Sequence, residues 1–239
     1  MSVIYKASMN GLDLPANVQP WTLQNKMSPR TLEEFSSDVR DLRNKLLVVR
    51  HPMVRLVSAY RDRIEGLKAS ARIYHRIAAV LKLERIDGYL RRKVRKEVEG
   101  ERKVERYSKV GVAVPSWEEF IRYLVTVDKL SYDPHWSLYT DQCSPCLSNF
   151  TLIVDLDREG EMQDMLELTG LAKHLEWEME MVRNPTKGGS SADVVTDYMG
   201  SLDCDLLEDL YQIYWPDFLL FNFTMASVLP SDSNCSVAT

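Results

Sequence analysis

Cysteine and histidine are both scarce here, at four residues each in a chain of 239. Cys143, Cys146, Cys204 and Cys235 form an even set, compatible with two disulfides in an oxidising compartment or with four thiols. Cys143 and Cys146 have the spacing of half a zinc site, but no second ligand pair follows, so no metal is expected. No stretch is apolar for long enough to make a membrane span, and no charged-then-apolar leader opens the sequence. The phosphate loop G-x-x-x-x-G-K-[ST] is also missing, which argues against a P-loop kinase. There is no internal repeat.

The length suits one α/β domain with a sizeable core. The net charge of −5 is unevenly spread, because residues 61–109 hold sixteen Lys and Arg against eight Asp and Glu. The centre of that excess is Arg91, Arg92, Lys93, Arg95 and Lys96. It reads either as a solvated helical face or insertion, or as a landing surface for an anionic glycan such as a glycosaminoglycan. Nucleic acid fits less well, since the whole chain is acidic and no stacking aromatics interleave the run. Three N-x-[ST] triplets, at Asn149, Asn222 and Asn234, are candidate glycosylation sites and point towards a lumenal protein.

Apolar periodicity places a helix after Ser28-Pro29, a strand at Leu46–Val49 buried on both faces, and a helix opened by Pro52 that continues into the basic segment. Ser116 to Glu119 reads as a capping box for a helix with Trp117, Phe120, Ile121 and Leu124 on its apolar face. Thr151–Asp157 reads as a second buried strand, followed by a helix over 159–171 whose Met162, Met165, Leu166 and Leu168 face the core. A Gly/Ser-rich loop covers 184–192, and a last helix runs from about Asp203 to Tyr214. Strands alternating with helices indicate an α/β fold, a parallel sheet flanked by helices. One domain is expected over 1–229, with a basic insertion at about 84–109 and a disordered tail over 230–239.

The most informative stretch is LLVVRHPMVRLVSAYRDR, Leu46 to Arg63. Arg50 at a strand's carboxyl end and Ser58 two turns into the next helix can converge where open α/β sheets bind ligands. An Arg fork with a hydroxyl suits a phosphate. Arg50, Pro52, Arg55, Leu56, Ser58 and Tyr60 resemble the 3'-phosphate-binding motif of sulfotransferases. The nearest likeness is to the Golgi carbohydrate sulfotransferases of the HNK-1, chondroitin and dermatan 4-O type. Downstream, His135, Trp136, Cys143, Pro145 and Cys146 resemble that family's HW…C-x-P-C segment. Tyr214, Asp217, Phe218, Leu220, Phe221 and Phe223 resemble its closing Y-x-x-D-F-x-x-F-x-[YF]. The three motifs stand in the family's order.

The resemblance implies a P-loop-like sulfotransferase fold, a 3'-phosphoadenosine 5'-phosphosulfate (PAPS) donor, an anionic or neutral glycan acceptor, and a type II membrane protein of the Golgi lumen. It makes Arg50 and Ser58 ligands of the donor's 3'-phosphate, while Arg55 reads better as a structural ion pair and Tyr60 as packing. His135 is the first choice for a general base, set against a structural histidine packed on Trp136. Lys187, in Thr186-Lys187-Gly188-Gly189, is a candidate phosphate contact on a lid. The family's 5'-phosphosulfate loop and its lysine have no counterpart before Arg50, and Lys6 is a poor substitute. The expectation is therefore an N-terminally incomplete chain lacking that loop and the membrane anchor. The alternative function is an inactive sulfotransferase-like protein that binds anionic glycans through its basic segment.

Overall fold

A computed structural model describes residues 45–81, 114–148, 150–168 and 192–235. The chain divides into two compact units, Met1–His51 with Cys143–Pro185, and Pro52–Gln142 with Thr186–Thr239.

In the first unit, β1 (Leu46–Val49) pairs in parallel with β2 (Leu152–Asp155), Leu46 opposite Leu152 and Val49 opposite Asp155. The pair is closed at its start by the Lys45 amide, which donates to Thr151 Oγ1 at 2.9 Å. It is closed at its end by the Leu156 amide, which donates to the Val49 carbonyl at 2.8 Å. Burial alternates instead of covering both faces. Leu47, Val49 and Val154 are buried, while Ile153 is 45% exposed. The expectation of strands buried on both faces is thereby corrected. A helix over Glu161–Leu168 packs Met165 and Leu166 against Val154. Leu168, expected in the core, is 79% exposed at the end of that described helix.

The second unit is helical among its described residues. α1 (Pro52–Ala59) begins on proline, whose missing N–H costs nothing in a first helical turn. Met53, Leu56 and Val57 are buried along it. A π-helical turn, Tyr60–Glu65, extends it and buries Tyr60 and Ile64. The helix then stops, contrary to the expected continuation into the basic segment. Gly66 donates its amide to the Arg61 carbonyl at 2.9 Å. A Cβ on Gly66 would lie 2.6 Å from the Asp62 carbonyl oxygen, so only glycine fits that approach. α2 (Ala71–Leu81) follows and buries Tyr74 and Ile77.

α3 (Trp117–Thr126) carries the expected capping box: Ser116 Oγ accepts from the Glu119 amide at 3.1 Å, and Glu119 Oε2 from the Ser116 amide at 2.7 Å. After the short α4 (Tyr139–Cys143), two further helices complete this unit. They are α5 (Ala192–Gly200), absent from the sequence reading, and α6 (Cys204–Phe221). α6 is capped by Asp203, whose Oδ1 accepts from the Leu206 amide at 2.8 Å. It runs seven residues beyond the expected end at Tyr214, straight through Pro216. Proline removes one helical hydrogen bond. Leu210, Tyr214, Asp217 and Phe218 nevertheless form one buried face across it, and that packing keeps the helix intact. Asn222, at φ 55°, ends it in the left-handed conformation.

α3 packs on α6 and on α2, and α1 packs on α5 and α6. Aromatic rings fill the interior, with Trp117 edge-on to Tyr198 at 5.4 Å and Phe120 edge-on to Trp136 at 5.3 Å. The tail expected to be disordered from residue 230 is tied down at Cys235 by a disulfide to Cys204. Cys204–Cys235 is thus one of the two compatible disulfides, and Cys146 is an exposed free thiol.

Replacing Gly66 with alanine forces the backbone at Asp62 to move. The expected cost is about 1–3 kcal/mol, as for other overpacked sites, read as a lower urea midpoint. An unchanged midpoint would show that the close approach is not needed.

Candidate functional site

Parallel pairing brings the ends of β1 and β2 together, and the residues just beyond them meet. Arg50 donates from Nε to Asp157 Oδ1 at 2.7 Å, and the next amide, that of His51, donates to Asp157 Oδ2 at 3.1 Å. One carboxylate thus clasps a guanidinium and the backbone beside it. Asp157 is held in turn by its own amide, which donates to Asp155 Oδ1 at 3.0 Å. Asp157 was not singled out from sequence. The available signal was the acidic close of the second strand, where register places a residue beside Arg50. Ser58 lies in α1, in the other unit, and is partly buried.

The second constellation lies wholly within the helical unit. Asp217 is completely buried on α6. Its Oδ2 accepts the Tyr139 amide at 2.8 Å and its Oδ1 the Thr140 amide at 2.9 Å, which caps the start of α4. The Arg55 guanidinium from α1 stands 4.0 Å from Asp217. It also donates to the Ser137 carbonyl and lies over the Tyr139 ring, 4.1 Å from its centroid. One turn earlier on α6, the Tyr214 hydroxyl donates to the Trp136 carbonyl at 2.5 Å. Burial pushes the Tyr214 phenol far above its ordinary range, so it remains a donor. Arg55 is therefore a structural ion-pair residue, as read from sequence. Tyr60 packs in the core, with its hydroxyl donating to the Pro115 carbonyl at 2.9 Å.

His135 sits in the turn ahead of α4 with about half of its side chain exposed, next to the buried Trp136. Asp133 Oδ1 accepts from the His135 backbone amide at 3.0 Å and meets its ring Nδ1 at 2.5 Å. Burial pushes the Asp133 carboxyl up, but the side-chain and backbone hydrogen bonds from His135 outweigh it. The net value lies below the ordinary range. The His135 and Trp136 rings are 6.4 Å apart at their centroids.

Asn222 and Asn234 are both exposed. Arg91, Arg92, Lys93, Arg95, Lys96, Asn149 and Lys187 lie outside the described residues, as do residues 1–44.

Truncating Asp217 to alanine strips the partner from two buried amides and from Arg55. The expected loss is about 3–5 kcal/mol, typical of breaking a buried charged network, seen as a lower urea midpoint. A variant as stable as the native chain would contradict this assignment.

A model of the sulfotransferase family matches residues 8–224. Carbohydrate sulfotransferase 9 of Homo sapiens is 29% identical over 184 residues, 75% of this chain and 37% of that protein. Carbohydrate sulfotransferase 11 of Mus musculus is 26% identical over 195 residues, 79% of this chain and 49% of that protein. Carbohydrate sulfotransferase 14 of Danio rerio is 27% identical over 210 residues, 84% of this chain and 51% of that protein. The chain thus spans between about a third and a half of the length of the curated relatives it matches. No solved structure matches. The resemblance carried by the three motifs is confirmed: the chain belongs to the sulfotransferase family.

Proposed function

We propose that this chain is the donor-binding and catalytic part of a carbohydrate sulfotransferase, moving a sulfuryl group from PAPS to a glycan hydroxyl. The observation that carries the reading is the match to the sulfotransferase family over residues 8–224, a span that contains all three motifs. A P-loop-like arrangement of a parallel sheet and helices over residues 1–229 is the fold proposed with it. Residence in the Golgi lumen, which the motif resemblance implies, is proposed with it.

In this reaction the acceptor oxygen attacks sulfur as the bond from sulfur to the donor's 5'-phosphate oxygen breaks. That oxygen leaves with the electron pair, giving 3',5'-adenosine bisphosphate (PAP), and the hydroxyl proton passes to a base. Such a transfer depends on positioning, on cations around the sulfuryl oxygens, and on the base. Arg50 and Ser58 are assigned to the 3'-phosphate by the sequence motif. The Asp157 carboxylate, which holds Arg50 Nε at 2.7 Å, supports that role by restricting the guanidinium. His135 is the proposed base. Lys187 is assigned to a donor phosphate, and Arg91, Arg92, Lys93, Arg95 and Lys96 to an anionic acceptor. Glycans at Asn149, Asn222 and Asn234 would accompany a lumenal protein.

Calorimetric titration with PAP tests the donor assignment. The native chain is expected to bind saturably, and Arg50→Ala to bind at least tenfold more weakly, as losing a charge-assisted hydrogen bond of about 1.5–3 kcal/mol predicts. Absence of binding by a folded native chain would refute the reading.

A further inference from the structure

The turn that carries His135 is held at each of its residues. The Asp133 carbonyl accepts from the amides of Trp136 and Ser137, each at 3.0 Å, and from the Ser137 hydroxyl at 2.9 Å. The Pro134 carbonyl accepts from Gln142 Nε2 at 2.7 Å. The Trp136 carbonyl accepts from Tyr214, as described above. His135 has therefore little backbone freedom, although its ring is half exposed. Among the described residues its ring hydrogen-bonds to one partner, the carboxylate two residues earlier.

An ionised carboxylate only accepts hydrogen bonds, so the ring nitrogen facing it must carry the proton. With the proton on Nδ1, neutral imidazole keeps its lone pair on Nε2. No partner for Nε2 is found among the described residues. A carboxylate that fixes an imidazole tautomer and stabilises the imidazolium formed later is the arrangement that general-base histidines need. Asp133 is suited to the task because hydrogen bonds from His135 and the Arg63 charge hold its carboxyl below the ordinary range.

We propose that Asp133 is a positioning residue for His135, fixing the Nδ1–H tautomer so that Nε2 takes the proton of the acceptor hydroxyl. This rests on the sulfotransferase reading above. The proton leaves the sugar oxygen as that oxygen bonds to sulfur. It resides on Nε2 while the bisphosphate departs, and is then released to water.

Two measurements test it: nitrogen-15 NMR of the His135 ring, and transfer of labelled sulfate from PAPS to a panel of desulfated glycosaminoglycans. The native ring is expected as the Nδ1–H tautomer. Asp133→Asn should mix the tautomers and lower kcat about a hundredfold at unchanged PAP affinity. Asp133→Glu should restore part of the rate, which separates positioning from folding. A native Nε2–H tautomer, or an Asp133→Asn variant with native kcat, overturns the proposal. So does native turnover in His135→Ala, or a PAP-binding native chain that transfers sulfate to no member of the panel. In these cases PAP binding still supports the donor reading. Loss of PAP binding by the native chain removes both.

Discussion

The helical unit depends on how one buried carboxylate is satisfied. An isolated carboxylate in a protein interior is costly, and Asp217 is fully buried. It is tolerated because two amides of α4 and the Arg55 guanidinium surround it. Each of these comes from a different motif: Arg55 from the first, Tyr139 and Thr140 from the second, and Asp217 itself from the third. Tyr214, from the third, adds a bond to the carbonyl of Trp136 in the second. Three segments far apart in sequence are thus joined by groups that cannot be left unpaired. Several residues in the recurring motifs are accordingly structural. They hold the turn before α4 in place.

The sheet unit shows a different division of labour. Arg50 is clasped at the end of β1 by Asp157 from beyond β2, a contact that the parallel register dictates. Holding a guanidinium before a ligand arrives lowers the entropy lost on binding, and Arg is suited to phosphate by its planar fork. The same logic recurs at His135, where Asp133 restrains a partly exposed ring. In both places an acidic residue holds a side chain for which a role is proposed. Neither acid belongs to the motif that draws attention to the site.

Legibility from sequence followed the range of the physics involved. The capping box at Ser116 and the Pro52 helix start are local chemistry, and both were readable. The strand centres were readable too, but their burial was not, since apolar composition does not say which face stays open at Ile153. The end of the first helix was missed because Gly66 stops it by a close backbone approach rather than by a loss of apolar pattern. The last helix runs on past Tyr214 through Pro216, because tertiary packing of Tyr214 and Phe218 overrides the local effect of proline. α5 had a readable signal in Val195 and Met199, four apart, but it was hidden by the adjoining Gly/Ser-rich loop. Asp157 and Asp217 required knowledge of which strands and helices pair, which one sequence does not contain. The motif order nonetheless identified the family.

The central claim is that Asp217 holds α4 and the turn before it by binding the Tyr139 and Thr140 amides. Residue-resolved amide hydrogen exchange tests it directly. Those two amides should exchange slowly in the native chain, near the rate of the buried α6 core, and become fast in Asp217→Ala while the α3 core stays protected. Fast exchange at both positions in the folded native chain, or protection that survives Asp217→Ala, would contradict the account.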